Sequence, residues 1–456
     1  MKPSRYNYSL EINDGSRLLF NFYTLALLAL KPVDAHLAEC ILANPDAACE
    51  DEQAESLKNL LKQHGFLIDE RIDELAALRQ ARHRSRSASS WLNLTIAPTL
   101  ACNFACTYCY QGDRLPVMSA TVEEAAREFV AGKASQGMHV HVTWYGGEPL
   151  LRLDAIERMS RHFIVSCQQH GVTYEASIVT NGYLLDGEIT SRLVALGVKK
   201  AQVTLDGPPE IHDARRRLRG GGGSFATIWN NLQSACEKLA IDVRMNVDQT
   251  NQAYIMPLLD LLKAAGLERK VSFYLGQILP YTEVCADVEG QCISNTDFAR
   301  LGLQIALEMV QRGFQSFKTL QSRNTFCMAD ARWGLALTPT GGFVKCWNEI
   351  CAPGCEVGHL LHPTAPAMEA NLRAWQERDP FKLVCAECLI LPVCMGGCPY
   401  LHRRTGELQC SDWRYHLPGS LLFYYYLKKL QQRNEIAAGF NKLVDSIELR
   451  LLELPW

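Results

Sequence analysis

The stretch that decides the fold is Cys102-Asn103-Phe104-Ala105-Cys106-Thr107-Tyr108-Cys109, in which three cysteines have the spacing CxxxCxxC. Three thiolates can bind three irons of a [4Fe–4S] cluster, whose usual protein ligands are four cysteines. The fourth iron would then be open to a group that does not come from the protein. Taken alone, the same thiols could instead be buried as small apolar groups or form half of a zinc site.

Alternating strands and helices are predicted from residue 91 onward. The strand candidates span 92–97, 140–145, 174–179, 199–205, 241–247 and 271–275. The helical patterns span 121–135, 152–170, 187–196, 225–239, 253–265 and 296–312, and Thr121 precedes Glu124 by three residues, as in a capping box. Six strand–helix units in a row predict an α/β fold with a parallel sheet. We expect a partial (β/α)6 barrel, with a doubly wound open sheet as the alternative.

Short polar turns follow the first four predicted strands. Cys102 comes just after the first strand, and the next three strands are followed by Gly146-Gly147-Glu148-Pro149, Thr180-Asn181-Gly182 and Asp206-Gly207-Pro208. In parallel α/β folds the functional site lies at the carboxyl ends of the strands. We therefore expect the cysteine loop and these turns to meet at one mouth of the barrel.

The composition excludes several classes of function. The 456 residues carry a net charge of −3, which gives no bulk electrostatic case for binding nucleic acid or an anionic membrane. No apolar run approaches the roughly 18 residues of a membrane span, and the first residues lack a signal-peptide pattern. We expect a cytoplasmic protein. In that compartment 18 cysteines indicate metal or redox chemistry rather than disulfides.

The first 84 residues are predicted to form a separate module. Two strand-like runs, 6–12 and 17–22, are joined by the turn signal Asn13-Asp14-Gly15, helical patterns follow at 23–42 and 52–64, and 66–68 could return as a strand. This pattern suggests a small winged-helix-like module, and the absence of a basic helix favours peptide over DNA as its ligand. The alternative is a cap on the next domain. Residues 79–90 are basic and then serine-rich, which predicts a linker with a solvated charge run.

The cysteine motif and Gly146-Gly147-Glu148-Pro149 together resemble the radical S-adenosylmethionine (SAM) enzymes. The resemblance covers about residues 91–315. It implies that the open iron is chelated by the amino and carboxylate groups of SAM. It also implies that the reduced cluster breaks the sulfonium, and that a 5′-deoxyadenosyl radical then abstracts a substrate hydrogen.

The resemblance assigns six residues to the binding of SAM: Tyr108, Gly146, Gly147, Glu148, Thr204 and Arg216. The glycines and Glu148 would meet the amino group, and Tyr108 would lie near the adenine. Thr204 stands where relatives often have the serine of a Ser-x-Asp-Gly turn. Arg216 closes a His-Asp-x-x-Arg pattern and would bind the carboxylate, for which a guanidinium fork is suited. Arg216 could equally be a solvated member of an arginine run.

Seven cysteines of the last third resemble the SPASM extension of this family, which holds two auxiliary [4Fe–4S] clusters. The resemblance implies one ligand set of Cys385, Cys388, Cys394 and Cys410, and a second of Cys327, Cys346 and Cys398. The second set lacks a fourth ligand, which Cys351 or Cys355 could supply unless the site is open. CxxC pairs also occur in zinc ribbons, but the CxxxCxxC loop in the same chain favours iron–sulfur clusters.

The domains are therefore predicted as 1–84, 85–315, 316–418 and a helical tail at 419–456. Many SPASM-containing relatives modify ribosomally made precursor peptides, and a leader peptide could add a strand to the N-terminal module. We expect such a peptide as one partner and a low-potential electron donor, such as flavodoxin or ferredoxin, as another. The alternatives are formylglycine formation in a sulfatase, or a metal-binding regulator without catalysis. Neither the catalytic base nor the bond that is formed follows from the sequence.

Overall fold

The computed structural model describes residues 1–12, 15–49, 51–87, 90–112, 116–315 and 320–433, and for 430–433 the backbone only. The first unit contains β1 (Lys2–Pro3), β2 (Asn7–Glu11), β3 (Arg17–Asn21), β4 (Leu27–Leu30), α1 (Pro32–Ala43), α2 (Glu52–Gln63), β5 (Leu67–Ile68) and α3 (Glu74–Ser87). Strands β2, β3 and β4 form an antiparallel sheet, and β1 pairs with β5. Asn13 and Asp14 of the predicted turn lie outside the described residues.

The helix predicted over 23–42 is wrong in its first half, because that half contains β4. Leu25 adopts a positive φ of 61°, which turns the chain back so that Leu27 lies opposite Phe20 of β3. The apolar run at 25–30 therefore satisfies its backbone in a sheet, and the helix begins only at Pro32, where proline suits the first turn.

The three-stranded sheet is buried on both of its faces. Leu18 and Phe20 belong to a core that also contains Phe381, Ile390 and Leu421 from the last third of the chain. On the other face, Leu19 packs with residues of α1 and α2. The N-terminal unit is thus built onto the cysteine-rich third.

The predicted linker over 79–90 is wrong for residues 79–87, which belong to helix α3. Arg79, Arg82 and Arg86 recur at helical spacing, so that they share one face. Arg82 forms an ion pair of 3.2 Å with Asp330 in which the two side chains are 5% and 1% exposed. The basic run is therefore largely a contact with the cysteine-rich third rather than a solvated segment.

The central part of the chain contains six parallel strands, close to their predicted positions. They are β6 (Trp91–Ile96), β7 (His139–Trp144), β8 (Tyr174–Thr180), β9 (Val198–Thr204), β10 (Ala240–Val247) and β11 (Val271–Gln277). Each strand pairs with the next one along the chain. This consecutive order agrees with a barrel and lacks the reversal of a doubly wound sheet.

Seven helices accompany these strands: α4 (Ala120–Ser135), α5 (Leu153–Gln169), α6 (Gly187–Ala195), α7 (Pro209–Arg215), α8 (Phe225–Ala235), α9 (Ile255–Ala264) and α10 (Asn295–Gln311). The predicted capping box at Thr121 is wrong. The cap of α4 is Ser119, whose hydroxyl accepts a hydrogen bond of 3.3 Å from the Val122 amide. Thr121 already lies within the first turn.

The last third adds β12 (Gly334–Leu337), β13 (Gly342–Val344), β14 (Gly358–His359), α11 (Pro366–Glu377), α12 (Leu391–Cys394), α13 (Pro399–Thr405) and α14 (Leu417–Arg433). Strand β12 pairs in parallel with β6, so the sheet continues into the cysteine-rich third. Helix α14 forms the start of the predicted tail, and the tail beyond 433 lies outside the described residues.

Among the described helices, none has the length and apolar character needed to cross a membrane.

Candidate functional site

A cavity of about 710 Å³ lies at the carboxyl ends of the parallel strands. Cys102, Cys106 and Cys109 all line it, as expected from their position after β6. The other predicted SAM contacts that line it are Tyr108, Gly146, Gly147, Thr204 and Arg216. Cys398 lies in the same wall, so the cavity extends from the first cysteine loop to the cysteine-rich third.

The glycines of the Gly146–Pro149 turn allow the cysteine loop to lie directly against it. Gly146 has a φ of +125°, and a Cβ there would lie 2.2 Å from the Thr99 carbonyl oxygen. A Cβ on Gly147 would lie 2.3 Å from the carbonyl oxygen of Ala101. Both positions therefore need glycine for the packing of the loop, whether or not a cofactor is bound.

The opposite side of the cysteine loop is held by the end of α7 and the segment that follows it. The Ala105 amide donates to the Arg217 carbonyl at 2.9 Å, and the Thr107 amide donates to the Arg215 carbonyl at 3.1 Å. Arg219 Nε donates to the Cys102 carbonyl at 2.9 Å. The three thiols are thus carried by a backbone that is fixed on both sides.

Glu148 is fully buried and binds the neighbouring turn. Its carboxylate accepts hydrogen bonds from Leu150 N at 3.0 Å, Thr180 Oγ1 at 2.8 Å and Asn181 N at 2.7 Å. Burial raises the pKa of Glu148, and these hydrogen bonds oppose that rise. The structure therefore gives Glu148 a positioning role between two strand ends, and its contact with the SAM amino group stays a prediction.

Tyr108 and Arg216 belong to one buried polar network. The Tyr108 hydroxyl donates to Asp206 and accepts from Arg216 Nη1 at 2.7 Å and from Asn246 Nδ2 at 3.0 Å. Burial raises the pKa of Tyr108 well above its usual value, so the phenol keeps its proton. Arg216 is 8% exposed, and its Nε has no hydrogen-bond partner among the described residues. Arg216 is therefore not a solvated member of an arginine run.

Hydrogen bonds from residues on both sides of Arg216 in the sequence fix its backbone. The amide of Asp206 donates to His212 Nδ1 at 3.2 Å, and His212 Nε2 contacts Ser224 Oγ at 3.2 Å. Ser224 Oγ in turn donates to the Arg216 carbonyl at 2.8 Å. Burial lowers the pKa of His212 well below its usual value, so the ring is neutral and can accept from the amide.

The sequence interpretation missed Arg244 and Asn246, which line the same cavity from β10. In this strand, polar residues at 242, 244 and 246 alternate with the buried Val243, Met245 and Val247. A central parallel strand is usually apolar on both faces. The alternation was therefore a signal that one face of β10 borders a polar site.

The seven cysteines assigned to auxiliary clusters fall into two spatial groups. Burial raises the pKa of Cys346 well above its usual value, and the nearby thiols of Cys327 and Cys398 raise it further. Burial likewise raises the pKa of Cys385 to about 11, with further contributions from Cys394, Cys388 and Cys410. Thiols of each predicted ligand set therefore lie near one another, and the binding of clusters by these sets stays a prediction.

Cys351 and Cys355 are the two candidates for the fourth ligand of the second set. Burial raises the pKa of Cys355, and the charged groups that act on it are Glu349, Glu356 and Arg403 rather than another thiol. Cys351 and Cys355 pack beside the core that contains Ile350. In the described part of the chain, no three histidine, cysteine, aspartate or glutamate side chains are arranged to hold a metal ion. A four-iron cluster differs from such a site because its thiolates bind separate irons.

The cavity residues match the donor chemistry that a SAM-binding cluster requires. Three thiols can bind three irons, and the partnerless Nε of Arg216 is suited to an anionic group such as a carboxylate.

Comparison with known proteins identifies the central region. Residues 96–278 match the model of the Radical SAM superfamily. The chain is 26% identical over 370 residues to the serine-type anaerobic sulfatase-maturating enzyme of Klebsiella aerogenes, covering 74% of this chain and 88% of the relative. It is 26% identical over 220 residues to the sporulation killing factor maturation protein SkfB of Bacillus subtilis, covering 48% of this chain and 50% of SkfB.

Solved structures share the fold. The structure of native anSMEcpe with bound AdoMet and Cp18Cys peptide superimposes with a TM-score of 0.55 at 18% identity, covering 75% of this chain and 98% of anSMEcpe. Membership of the matched region in the Radical SAM superfamily implies a [4Fe–4S] cluster and SAM as cofactors.

Proposed function

We propose that this chain, which is a radical SAM enzyme, modifies the side chains of a ribosomally made precursor peptide by installing a cross-link or a similar bond. The observation that carries the proposal is an edge of the N-terminal sheet that is unpaired among the described residues. Strand β4 pairs only with β3 among the described residues. Its residues Leu27, Leu28 and Ala29 are apolar and partly exposed, and they carry no charge.

An uncharged, apolar edge strand is a template for the addition of another strand. Natural sheets usually protect such edges with charged residues, as the opposite edge strand β2 does with Glu11. Backbone hydrogen bonds to β4 would hold an extended leader peptide, and side chains at alternate positions would give specificity. On this proposal residues 1–84 are a winged-helix-like recognition module rather than a cap.

The cavity would carry out the chemistry. Cys102, Cys106 and Cys109 would bind the cluster that binds SAM, and Arg216 would bind the carboxylate of SAM. When bound, SAM supplies a 5′-deoxyadenosyl radical that abstracts a hydrogen from the substrate. Tyr108 and Asn246 would keep Arg216 in position, while Glu148 would hold the Gly146–Gly147 turn against the cysteine loop.

The last third would be a SPASM domain with two auxiliary clusters. The two spatial groups of cysteines support this assignment, which makes three [4Fe–4S] clusters in the chain. Each auxiliary cluster would accept an electron or bind a substrate group. A cytoplasmic low-potential donor, such as flavodoxin or ferredoxin, would supply the electron that starts each cycle.

Formylglycine formation in a sulfatase is the second candidate. It is favoured by the similarity to the serine-type sulfatase-maturating enzyme, which covers 88% of that relative. Both candidates use the same cavity chemistry, and they differ in the role of the N-terminal unit. The relatives that match the chain are enzymes, so the regulator without catalysis is not retained.

The test is co-expression of the chain with each short open reading frame beside its gene, followed by mass spectrometry of the peptide under anaerobic conditions. We expect a mass change in one peptide, and its loss when Ala29→Pro blocks the β4 edge. Ser9→Pro in β2, on the opposite edge of the sheet, is the matched control and should leave the modification intact. If the peptide masses never change while a co-expressed sulfatase becomes active, the second candidate is correct.

A further inference from the structure

Arg244 lines the cavity, but it is not one of the residues that are predicted to bind SAM. It stands on β10 directly between Thr204 of β9 and Tyr274 of β11 in the strand register. Its side chain lines the cavity, as do Gln202 and Thr204 of β9. Arg244 therefore belongs to the polar inner face of the sheet and not to its apolar, helix-covered face.

The guanidinium of Arg244 is held in one orientation. Its Nε donates a hydrogen bond of 2.7 Å to Asn246 Oδ1. The absence of a side chain at Gly276 makes room for it, because a Cβ there would lie 2.5 Å from both Nε and Nη2. Tyr274 of the neighbouring strand is a second hydrogen-bond partner of the guanidinium. A guanidinium carries five N–H donors, so several donors of the fork remain for a ligand.

Within the described part of the chain, Arg244 has no carboxylate beside it in the cavity wall. Among the described residues that line the cavity there are four arginines and no aspartate or glutamate. The ionisable groups with the largest effect on Arg244 are the phenols of Tyr274, Tyr281, Tyr145 and Tyr108.

The acidic residues nearest in sequence and register are committed elsewhere. Asp206 accepts from Tyr108 and from the Asn246 amide. Asp242 pairs with Lys200 at 2.6 Å, and Asp248 pairs with Arg215 at 2.8 Å. A charged group that is withdrawn from water is costly unless an opposite charge or hydrogen-bond acceptor compensates it.

We propose that Arg244 binds a carboxylate of the substrate peptide beside the residue that is modified. The inference rests on the proposed function in one respect, that the substrate is a peptide. A planar guanidinium with unused N–H donors recognises a carboxylate with a bidentate pair of hydrogen bonds. The carboxylate would come from an acidic side chain or from the C-terminus of the peptide.

The carboxylate of SAM is assigned to Arg216 rather than to Arg244 for a structural reason. Arg216 donates to the Tyr108 hydroxyl and lies 5.6 Å from the ring centre of Phe104, and both of these residues belong to the cysteine loop. Arg244 instead donates to Asn246 of its own strand. Arg216 is thus the guanidinium that contacts the cysteine loop.

The test measures equilibrium binding of short peptides to the anaerobically reconstituted enzyme with SAM, by isothermal titration calorimetry and without turnover. The probes are a glycine pentapeptide with a central glutamate and blocked ends, the same peptide with glutamine, and a glycine pentapeptide with a free carboxyl terminus. The glutamate and free-carboxyl probes distinguish the two sources of carboxylate. The variants are Arg244→Gln and Arg244→Lys, with Arg217→Gln as the matched control at the exposed rim of the cavity.

We expect at least one carboxylate probe to bind the wild type about tenfold or more tightly than the glutamine probe, as a charge-assisted hydrogen bond allows. Arg244→Gln should abolish this preference, Arg244→Lys should keep part of it, and Arg217→Gln should keep all of it. The affinity for SAM should be unchanged in every variant, which also shows that the cavity has folded.

Equal binding of all probes by the wild type, or no binding of any probe, would overturn the inference. A preference that survives in Arg244→Gln, or a loss of SAM affinity in that variant, would also overturn it. These results do not involve the leader peptide or the β4 edge. Failure of the proposed function is detected separately, by unchanged peptide masses in co-expression.

Discussion

Gly147 shows how a single position can serve a fold and a site together. The sequence motif indicates a SAM contact, but the structure shows a steric requirement that needs no cofactor. A side chain at Gly147 would meet the carbonyl oxygens of Leu100 and Ala101, which lead directly into the first cysteine of the loop. Because both contacts are with backbone atoms, neither can be relieved by rotation of a side chain.

Replacement of this glycine should therefore disturb the first cluster. We expect Gly147→Ala to displace the cysteine loop, to lower the iron content by about four per chain, and to abolish the cleavage of SAM. The measurements are iron and sulfide analysis and chromatography of 5′-deoxyadenosine after reduction with dithionite. Gly220→Ala, at a position where a Cβ meets nothing within 4 Å, is the control and should behave as the wild type. Full iron content and SAM cleavage in Gly147→Ala would show that the loop accommodates the methyl group.

The sequence predicts those residues of the site whose motif lies within one short segment. Cys102, Cys106 and Cys109 lie within eight residues, and their spacing together with the Gly146–Pro149 turn indicates a cluster loop. The contacts of Glu148 with Thr180 and Asn181 were not predictable, because they join turns that are more than 30 residues apart. Arg244 carried a signal in the alternation of β10, but the lack of a carboxylate beside it among the described cavity residues becomes visible only when the cavity is assembled.

Among the elements, helix α3 connects the N-terminal unit to the cysteine-rich third. Arg82 pairs with Asp330, and Asp330 also accepts a hydrogen bond of 3.0 Å from the Phe326 amide. Arg86 Nε donates to the Asp330 carbonyl at 2.9 Å. The helix thus fixes the segment 326–330, which contains Cys327 of one predicted ligand set.

Replacement of Arg82 should destabilise the folded protein, because it leaves the buried Asp330 charged and without its cationic partner. We expect Arg82→Met to lower the free energy of unfolding by about 3 kcal/mol, in the range for a broken buried ion pair. Urea unfolding of the reconstituted enzyme, followed by circular dichroism, measures the change. Arg79→Met is the matched control, because the pair of Arg79 with Asp379 is 54% and 24% exposed and should contribute less than about 1 kcal/mol. Equal effects of the two substitutions would contradict this role of α3.

The strands of the central sheet were predicted to within about two residues because apolar, β-branched runs mark buried parallel strands locally. The two wrong elements have other causes. Strand β4 pairs with the neighbouring strand β3, but a short apolar run such as 25–30 fits a helix as well as a strand. Helix α3 contacts the cysteine-rich third through Arg82 and Asp330, which lie 248 residues apart, so this contact is not visible in the short segment from which secondary structure is predicted.

At the scale of the whole molecule, the sheet and one apolar core join the three parts of the chain. Strand β12 continues the central sheet into the last third, and Cys398 lines the same cavity as Cys102. The cysteine loop and Cys398, one member of a predicted auxiliary ligand set, therefore border a single space. The position of the two in one cavity supports the proposal that the auxiliary cluster of this set accepts an electron or binds a substrate group.

The central claim is that Cys102, Cys106 and Cys109 bind the cluster that cleaves SAM. The direct measurement compares the wild type with the triple variant Cys102→Ala, Cys106→Ala and Cys109→Ala for iron, sulfide and 5′-deoxyadenosine under reducing, anaerobic conditions. We predict about twelve irons in the wild type and about eight in the variant, with sulfide in proportion and no 5′-deoxyadenosine from the variant. Formation of 5′-deoxyadenosine by the triple variant would contradict the account.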